Sequence, residues 1–377
     1  MTEPTAHVTV QPTPLAPSSP VEFPMTWLLD HASNAIRYRA ITDVARLTGE
    51  ISREATALAY VHPPALVLAL GQSPDGTWNS SMLDVPSARA DHFERVGTIN
   101  AFRRLLEYGW DKDAPPLVRA RRVLFRLLAE DDDPAYLFEL APRGEEDGDV
   151  ARRGRLILRE AAASALAQAG YEGDPRLRGA ARRILDRIDL FLRSPLAHKP
   201  WVRVGNKQVL AAEAAPPSIY ALAMLAHMPL FRNENHVQLD RILQYISQPQ
   251  PRQELLQLCG SKIMAQPHLV LGDMLPNRNV ADTDVPFALA WLELMARLGF
   301  LRRNEGWSKL FERFLDDRDR DLVWHPHKGM AMPRSSNPFV WSAFPLEQMT
   351  SGDERWTDVT FRLGLIARLS GRPLELI

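Results

Sequence analysis

The chain has 377 residues, 45% of them hydrophobic and 24% charged, with 45 Lys and Arg against 46 Asp and Glu. That balance belongs to a folded globular chain with a large core, and a formal net charge of −1 leaves no electrostatic footprint for nucleic acid. A single cysteine, Cys259, excludes an internal disulfide and a thiolate zinc cluster, and points to a reducing, cytoplasmic compartment. Residues 1–24 carry Pro12, Pro14, Pro17, Pro20 and Pro24 among Thr and Ser, without a basic segment followed by an apolar one. They read as an extended or disordered arm and not as a signal peptide, leaving 25–377 as a single helical domain.

From Trp27 onward the apolar spacing is helical, punctuated by Pro, Gly and Asp. Ser33 or Asn34 starts a helix through Val44, Pro63-Pro64 starts one ending at Leu70, and Thr98 to Glu107 forms another, stopped by Gly109. Pro115-Pro116 opens Leu117 to Leu128, and Asp133-Pro134 opens Ala135 to Leu140. The charged, glycine-containing run from Pro142 to Arg155 reads as an exposed connection before the pair Arg155 to Ala169 and Pro175 to Leu192. Trp201 to Glu213 is a loop or short hairpin, and Pro217 to Met228, Val237 to Ile246 and Glu254 to Met264 continue the helices. The uncharged run from Ala214 to Phe231 is broken by Pro216, Pro217 and Pro229 and is too short to span a bilayer. It reads as a buried helix, with a shallow membrane-resting patch as the alternative. Asp319 to Pro345, rich in Trp, His, Pro and Met, is irregular yet too apolar for a solvated tail, and suits a segment folded over a rim or into a cavity.

Asp282-Thr-Asp-Val-Pro-Phe-Ala-Leu-Ala-Trp places two carboxylates at the start of a helix that is apolar almost all round. They are either caps or a proton source. The string Thr283-Asp-Val-Pro-Phe-Ala-Leu recurs as Thr357-Asp-Val-Thr-Phe-Arg-Leu, which favours a capping role for at least one copy and indicates repeated helical units. Leu70-Gly-Gln-Ser-Pro-Asp-Gly-Thr-Trp resembles the Gln-x-x-Asp-Gly-x-Trp repeat of the squalene–hopene and oxidosqualene cyclases and the protein prenyltransferase β subunits. The resemblance implies an all-α fold, an α/α toroid of helical hairpins around an apolar cavity. In those cyclases an Asp-x-Asp-Asp motif supplies the acid. Here it maps to Asp282, Thr283, Asp284 and Val285, so Asp284 inherits the acid role beside Asp282, with Val285 in place of the last Asp. The expected ligand is an isoprenoid or other lipid-like molecule, cyclised by protonation, with Trp291, Phe287, Trp324, Trp341 and Phe344 as candidate cavity aromatics.

Two other readings compete with it. One is a non-catalytic helical scaffold or binding subunit that contacts a protein partner. The other is a carbohydrate-active toroid, a lyase or hydrolase with paired carboxylates in an open polar cleft. No cofactor motif appears. Glu130-Asp-Asp-Asp-Pro134 has the wrong spacing for a Mg²⁺–diphosphate site and reads as a helix end. His325 and His327 are separated by one residue in a loop, which favours rim residues over metal ligands.

Overall fold

Pro63, Pro115, Pro175 and Pro286 open helices where a missing N–H costs nothing, whereas the helix expected over Pro217 to Met228 starts only at Ile219, behind a Ser218 cap. In the computed structural model, which describes residues 19–87, 93–129, 136–140, 148–251, 253–275, 283–326, 337–347 and 355–377, the helices include α1 (Met25–His31), α2 (Asn34–Arg39), α3 (Glu50–Tyr60), α4 (Pro63–Leu70), α5 (Thr98–Glu107), α6 (Pro115–Leu127), α7 (Gly148–Gln168) and α8 (Pro175–Arg193). They continue as α9 (Ile219–Ala226), α10 (Pro229–Glu234), α11 (His236–Ile246), α12 (Val285–Leu298), α13 (Glu305–Asp316) and α14 (Thr357–Leu369). Asp174 caps α8 by accepting from the Arg176 N–H, and Ser218 caps α9 by accepting from that of Ala221. After α2 the chain loosens into a π-helix, Ala40–Ala45, whose C-cap Arg46 has φ of 55°.

The expectation of an all-α toroid is corrected by two sheets. Strand β1 (Val21–Phe23) pairs in parallel with β6 (Leu374–Leu376), so the end of the proline-rich arm is fastened to the end of the chain. Strands β2 (Trp201–Val204), β3 (Lys207–Leu210), β4 (Leu256–Cys259) and β5 (Lys262–Ala265) form the second sheet in that order. The hairpin reading of Trp201 to Glu213 holds. The helix expected over Glu254 to Met264 does not form, because Gly260 turns the chain with φ of 59° and Leu256 to Cys259 alternate between half-buried and buried. Inward-facing Gln257 also donates to the carbonyls of Ala211 and Ala214, at 3.0 and 2.7 Å, fixing the register from the side. Helix α7 begins earlier than expected, inside the supposed connection, and residues 136–140 are not helical.

Around the interior, α5, α7, α9, α12, α14 and the π-helix follow one another, each touching the next along the series. The alanines of α7, from Ala161 to Ala165, are buried and let α9 approach closely. The Gln72 to Trp78 turn brackets this series from outside. Gln72 donates to the carbonyls of Gly76 and of Pro116 at the start of α6, while the buried Trp78 indole donates to Leu68 O at 2.8 Å. Asp75 accepts from its own turn at Thr77 and not from a helix start. Gly76, at φ of 91°, has Arg119 O 2.9 Å from where a Cβ would sit.

Just beyond this turn, Gly97 N-caps α5 and lies against the backbone of Met82, 2.4 Å from the position of an added Cβ. Because that neighbour is backbone and not a flexible side chain, Gly97→Ala is expected to destabilise the fold by about 1–3 kcal/mol or more. Chemical denaturation measures this, and an unchanged midpoint would contradict the packing described.

Candidate functional site

An arginine in the middle of an apolar helix face needs anions around it. Arg362 of α14 is only 2% exposed and reaches two glutamates from two other helices: Glu293 of α12, at 2.7 Å, and Glu107 of α5, at 2.9 Å. It also donates to the carbonyl of Ala343. Glu107 accepts from Arg39 of α2 and, at 2.7 Å, from the Gln168 side-chain amide of α7. Glu293 accepts from Arg297 one turn along, at 3.0 Å. Arg39 continues to Asp43 in the π-helix at 2.8 Å, and Gln168 accepts from Arg103 Nε at 2.8 Å. Burial opposes ionisation of both glutamates, but Arg39 and Arg362 around Glu107, and Arg362 and Arg297 around Glu293, outweigh it and hold both below the usual carboxylate range.

Two cavities adjoin this network and share Glu107, Gln168, His227 and Arg297 in their walls. The inner chamber, of about 70 Å³, is lined on its remaining sides by Arg103, Tyr220, Glu293 and an apolar wall that includes Phe287, Trp291 and Phe339. The outer cleft, of about 370 Å³, is bounded by Arg39, Thr42, Asp43 and Arg46 of α2, the π-helix and its C-cap, and by Leu106, Leu365 and Leu369.

His227 donates from Nδ1 to the Ala223 carbonyl at 2.9 Å, since a carbonyl only accepts. Burial, aided by the Arg297 cation, lowers its pKa to about 3. The ring is therefore neutral, and Nε2 keeps a free lone pair. Tyr220 is 4% exposed, and burial raises its pKa, so its hydroxyl keeps its proton. Among the described residues that hydroxyl has no hydrogen-bond partner, and Arg103 bonds only to Gln168, with no carboxylate of its own.

Of the candidates read from sequence, Phe287 and Trp291 line the chamber. Asp284 is an exposed N-cap accepting from the Phe287 N–H at 3.2 Å, and it lines neither cavity; Asp282 lies outside the described residues. Trp324 stands edge-on to Trp356, Phe344 stacks on the same ring, and Trp341 packs beneath the Arg104 guanidinium, all away from both cavities. The second repeat copy supplies the buried acid instead. Asp358 accepts from Leu346 N and lies 3.8 Å from Arg362, with burial holding its carboxyl above the usual range. His325 Nδ1 lies 3.3 Å from the Pro326 carbonyl, while His327 and the Glu130 to Pro134 run lie outside the described residues. Among the described residues no cluster of three or more His, Cys, Asp or Glu side chains is placed to hold a metal, and no helix is long and apolar enough to cross a membrane.

No protein-family model, curated protein or solved structure matches this chain.

Replacing Arg362 by Met leaves Glu107 and Glu293 buried with one cation fewer. A loss of about 3–5 kcal/mol is expected in equilibrium unfolding, and a loss under 1 kcal/mol would contradict the network's role. A second expectation concerns acid. Burial lowers His62, His227 and His268 to about 4, 3 and 4, so the unfolded chain binds more protons than the native one as pH falls below the unfolded value of 6.5. Stability from these groups is complete above that value and is lost as pH falls towards 4. Glu347, raised by burial to about 7, acts in the opposite direction. Asp273 and Asp358, also raised by burial, act in the same direction as Glu347, so the histidine part is isolated by substitution: His62→Gln is expected to make the change in melting temperature from pH 7 to pH 5 more favourable than in wild type, and scanning calorimetry of both proteins tests it.

Proposed function

We propose that the interior is a binding site for a small organic acid with a short apolar tail, and that the protein acts as a binding component and not as an acid–base catalyst. The observation that carries this reading is Arg103. It is a cation at an enclosed wall with no carboxylate partner, it faces an unpartnered Tyr220 hydroxyl, and burial lowers its pKa. A desolvated guanidinium of this kind is stabilised by an oxyanion, which its forked donors hold in bidentate geometry. The aromatic and aliphatic wall opposite, with Phe287, Trp291 and Phe339, suits the acid's tail.

Volume limits that tail. A cavity of about 150 Å³ accommodates benzene, whereas the chamber measures about 70 Å³. Acids of two to four carbons suit the space, while a polycyclic isoprenoid needs far more. The protonation states support binding over proton transfer. Glu107 and Glu293 are held ionised, His227 neutral and Tyr220 protonated, so none of these lining groups titrates near neutral pH, where a general acid or base works best.

Titration calorimetry with acetate, butyrate, butanol and farnesol tests the reading. Butyrate is expected to bind at least about tenfold tighter than butanol, in keeping with a charge-assisted hydrogen bond, with an affinity constant from pH 6 to pH 8. Arg103→Gln removes the preference for the acid. Equal affinity for butyrate and butanol would refute the assignment, and binding of farnesol alone would restore the isoprenoid expectation.

A further inference from the structure

The outer cleft is unlike the chamber in both size and chemistry. At about 370 Å³ it falls within the range of small-molecule sites. Its floor is the shared wall, where His227 Nε2 offers a free acceptor and Glu107 and Arg297 are held by their network partners. Its rim is built from the π-helix. A π-turn widens the helix and leaves the i→i−4 ladder, and such turns are kept mainly where the distortion has a use. Here it carries Thr42 and Asp43 to the cleft and ends in Arg46, whose left-handed backbone turns the chain at the rim.

Arg46 is the cation with capacity to spare. Arg39 is engaged by Asp43 and Glu107, and Arg297 by Glu293. The Arg46 side chain has neither an ion pair nor a hydrogen bond among the described residues, its backbone N–H alone donating to the Ile41 carbonyl. Arg368, which donates to the Val44 carbonyl at 2.8 Å, has its pKa lowered by burial and then by the Arg46 cation. The rim therefore presents Arg46 as a cation without a carboxylate partner among the described residues. The remaining wall presents fixed acceptors and fixed donors side by side, an arrangement suited to hydroxyl groups, which donate and accept at once. Leu365 and Leu369 offer an apolar surface for the C–H face of such a molecule.

We propose that this cleft is a second binding site, separate from the chamber, for a small polyhydroxy compound carrying one acidic group, of the class of sugar phosphates and sugar acids. The hydroxyls lie on the shared wall, and the acidic group lies at the rim against Arg46.

Calorimetry on the full chain with glucose 6-phosphate, glucuronate and glucose provides the test, the first two distinguishing a phosphate from a carboxylate head. At least one acidic sugar is expected to bind ten or more times tighter than glucose. Arg46→Gln, at an exposed position whose side chain makes no structural bond, is expected to weaken that ligand about tenfold, leave glucose and butyrate unaffected, and be rescued by Arg46→Lys. Equal affinities for the three sugars, absence of binding by both acidic sugars, or an Arg46→Gln protein that binds as wild type would each overturn the proposal. Butyrate binding measured on the same proteins without sugar reports on the chamber alone, so failure there and failure in the cleft are distinguishable.

Discussion

Arg362 is the constraint on which the interior depends. A guanidinium almost wholly removed from water forces its neighbours to supply negative charge, and it draws Glu107 from α5 and Glu293 from α12 onto one point. Because those glutamates come from helices far apart in sequence, one side chain sets the spacing of three. The same guanidinium holds the Ala343 carbonyl, and Arg104 holds those of Trp341 and Pro345, so the segment of residues 337–347 is pinned over the chamber by cations and not by apolar packing alone. An ion cluster of this kind is a weak source of net stability, since desolvation offsets most of its Coulomb gain. What it supplies is position: the carboxylates and arginines of the wall have one arrangement.

The two copies of the Thr-Asp-Val-x-Phe-x-Leu string illustrate how context assigns chemistry. In the first, Asp284 stands at the N-cap, exposed, bonded to its own first turn. In the second, the helix starts at Thr357, so Asp358 lies inside the first turn, where it is buried and faces Arg362 one turn along. The helix start differs by two residues between the copies, and the carboxylate moves from solvent into the charged interior. The position occupied by Ala288 in the first copy is Arg362 in the second, which completes the difference.

Much of the helical framework was legible because its signals are local. Pro63, Pro115, Pro175 and Pro286 mark first turns, and the Gln72 to Trp78 turn could be read from glycine and tryptophan chemistry before its partners were known. Apart from the hairpin of β2 and β3, the sheets were not legible. β1 and β6 are three residues each and meet only because the chain ends converge, a long-range event without a local pattern. Residues 254–264 contain good helix formers, and only Gly260 hinted at a turn. The interior site escaped for a different reason. Its residues are single charges within apolar faces and form no motif: Glu293 and Arg297 in α12, Arg362 in α14, Glu107 in α5. Such interruptions are the sequence trace of a buried polar centre, because an isolated charge in an apolar stripe is stable only if another element brings its partner.

That centre also determines how the two cavities relate. Glu107, Gln168, His227 and Arg297 form one wall with two faces, and their side chains are already ordered by bonds to Arg362, Arg39, Arg103, Ala223 and Glu293. Groups ordered during folding lose little further freedom when a ligand arrives, so even a small molecule with few contacts can use them efficiently. A shared rigid wall carries a further consequence. Any displacement of Arg297 or Gln168 caused from one face changes the donors and acceptors presented on the other, and thermodynamic linkage makes that influence equal in both directions. The charged interior thus connects chamber and cleft by covalent identity of their lining residues, without requiring motion of a helix.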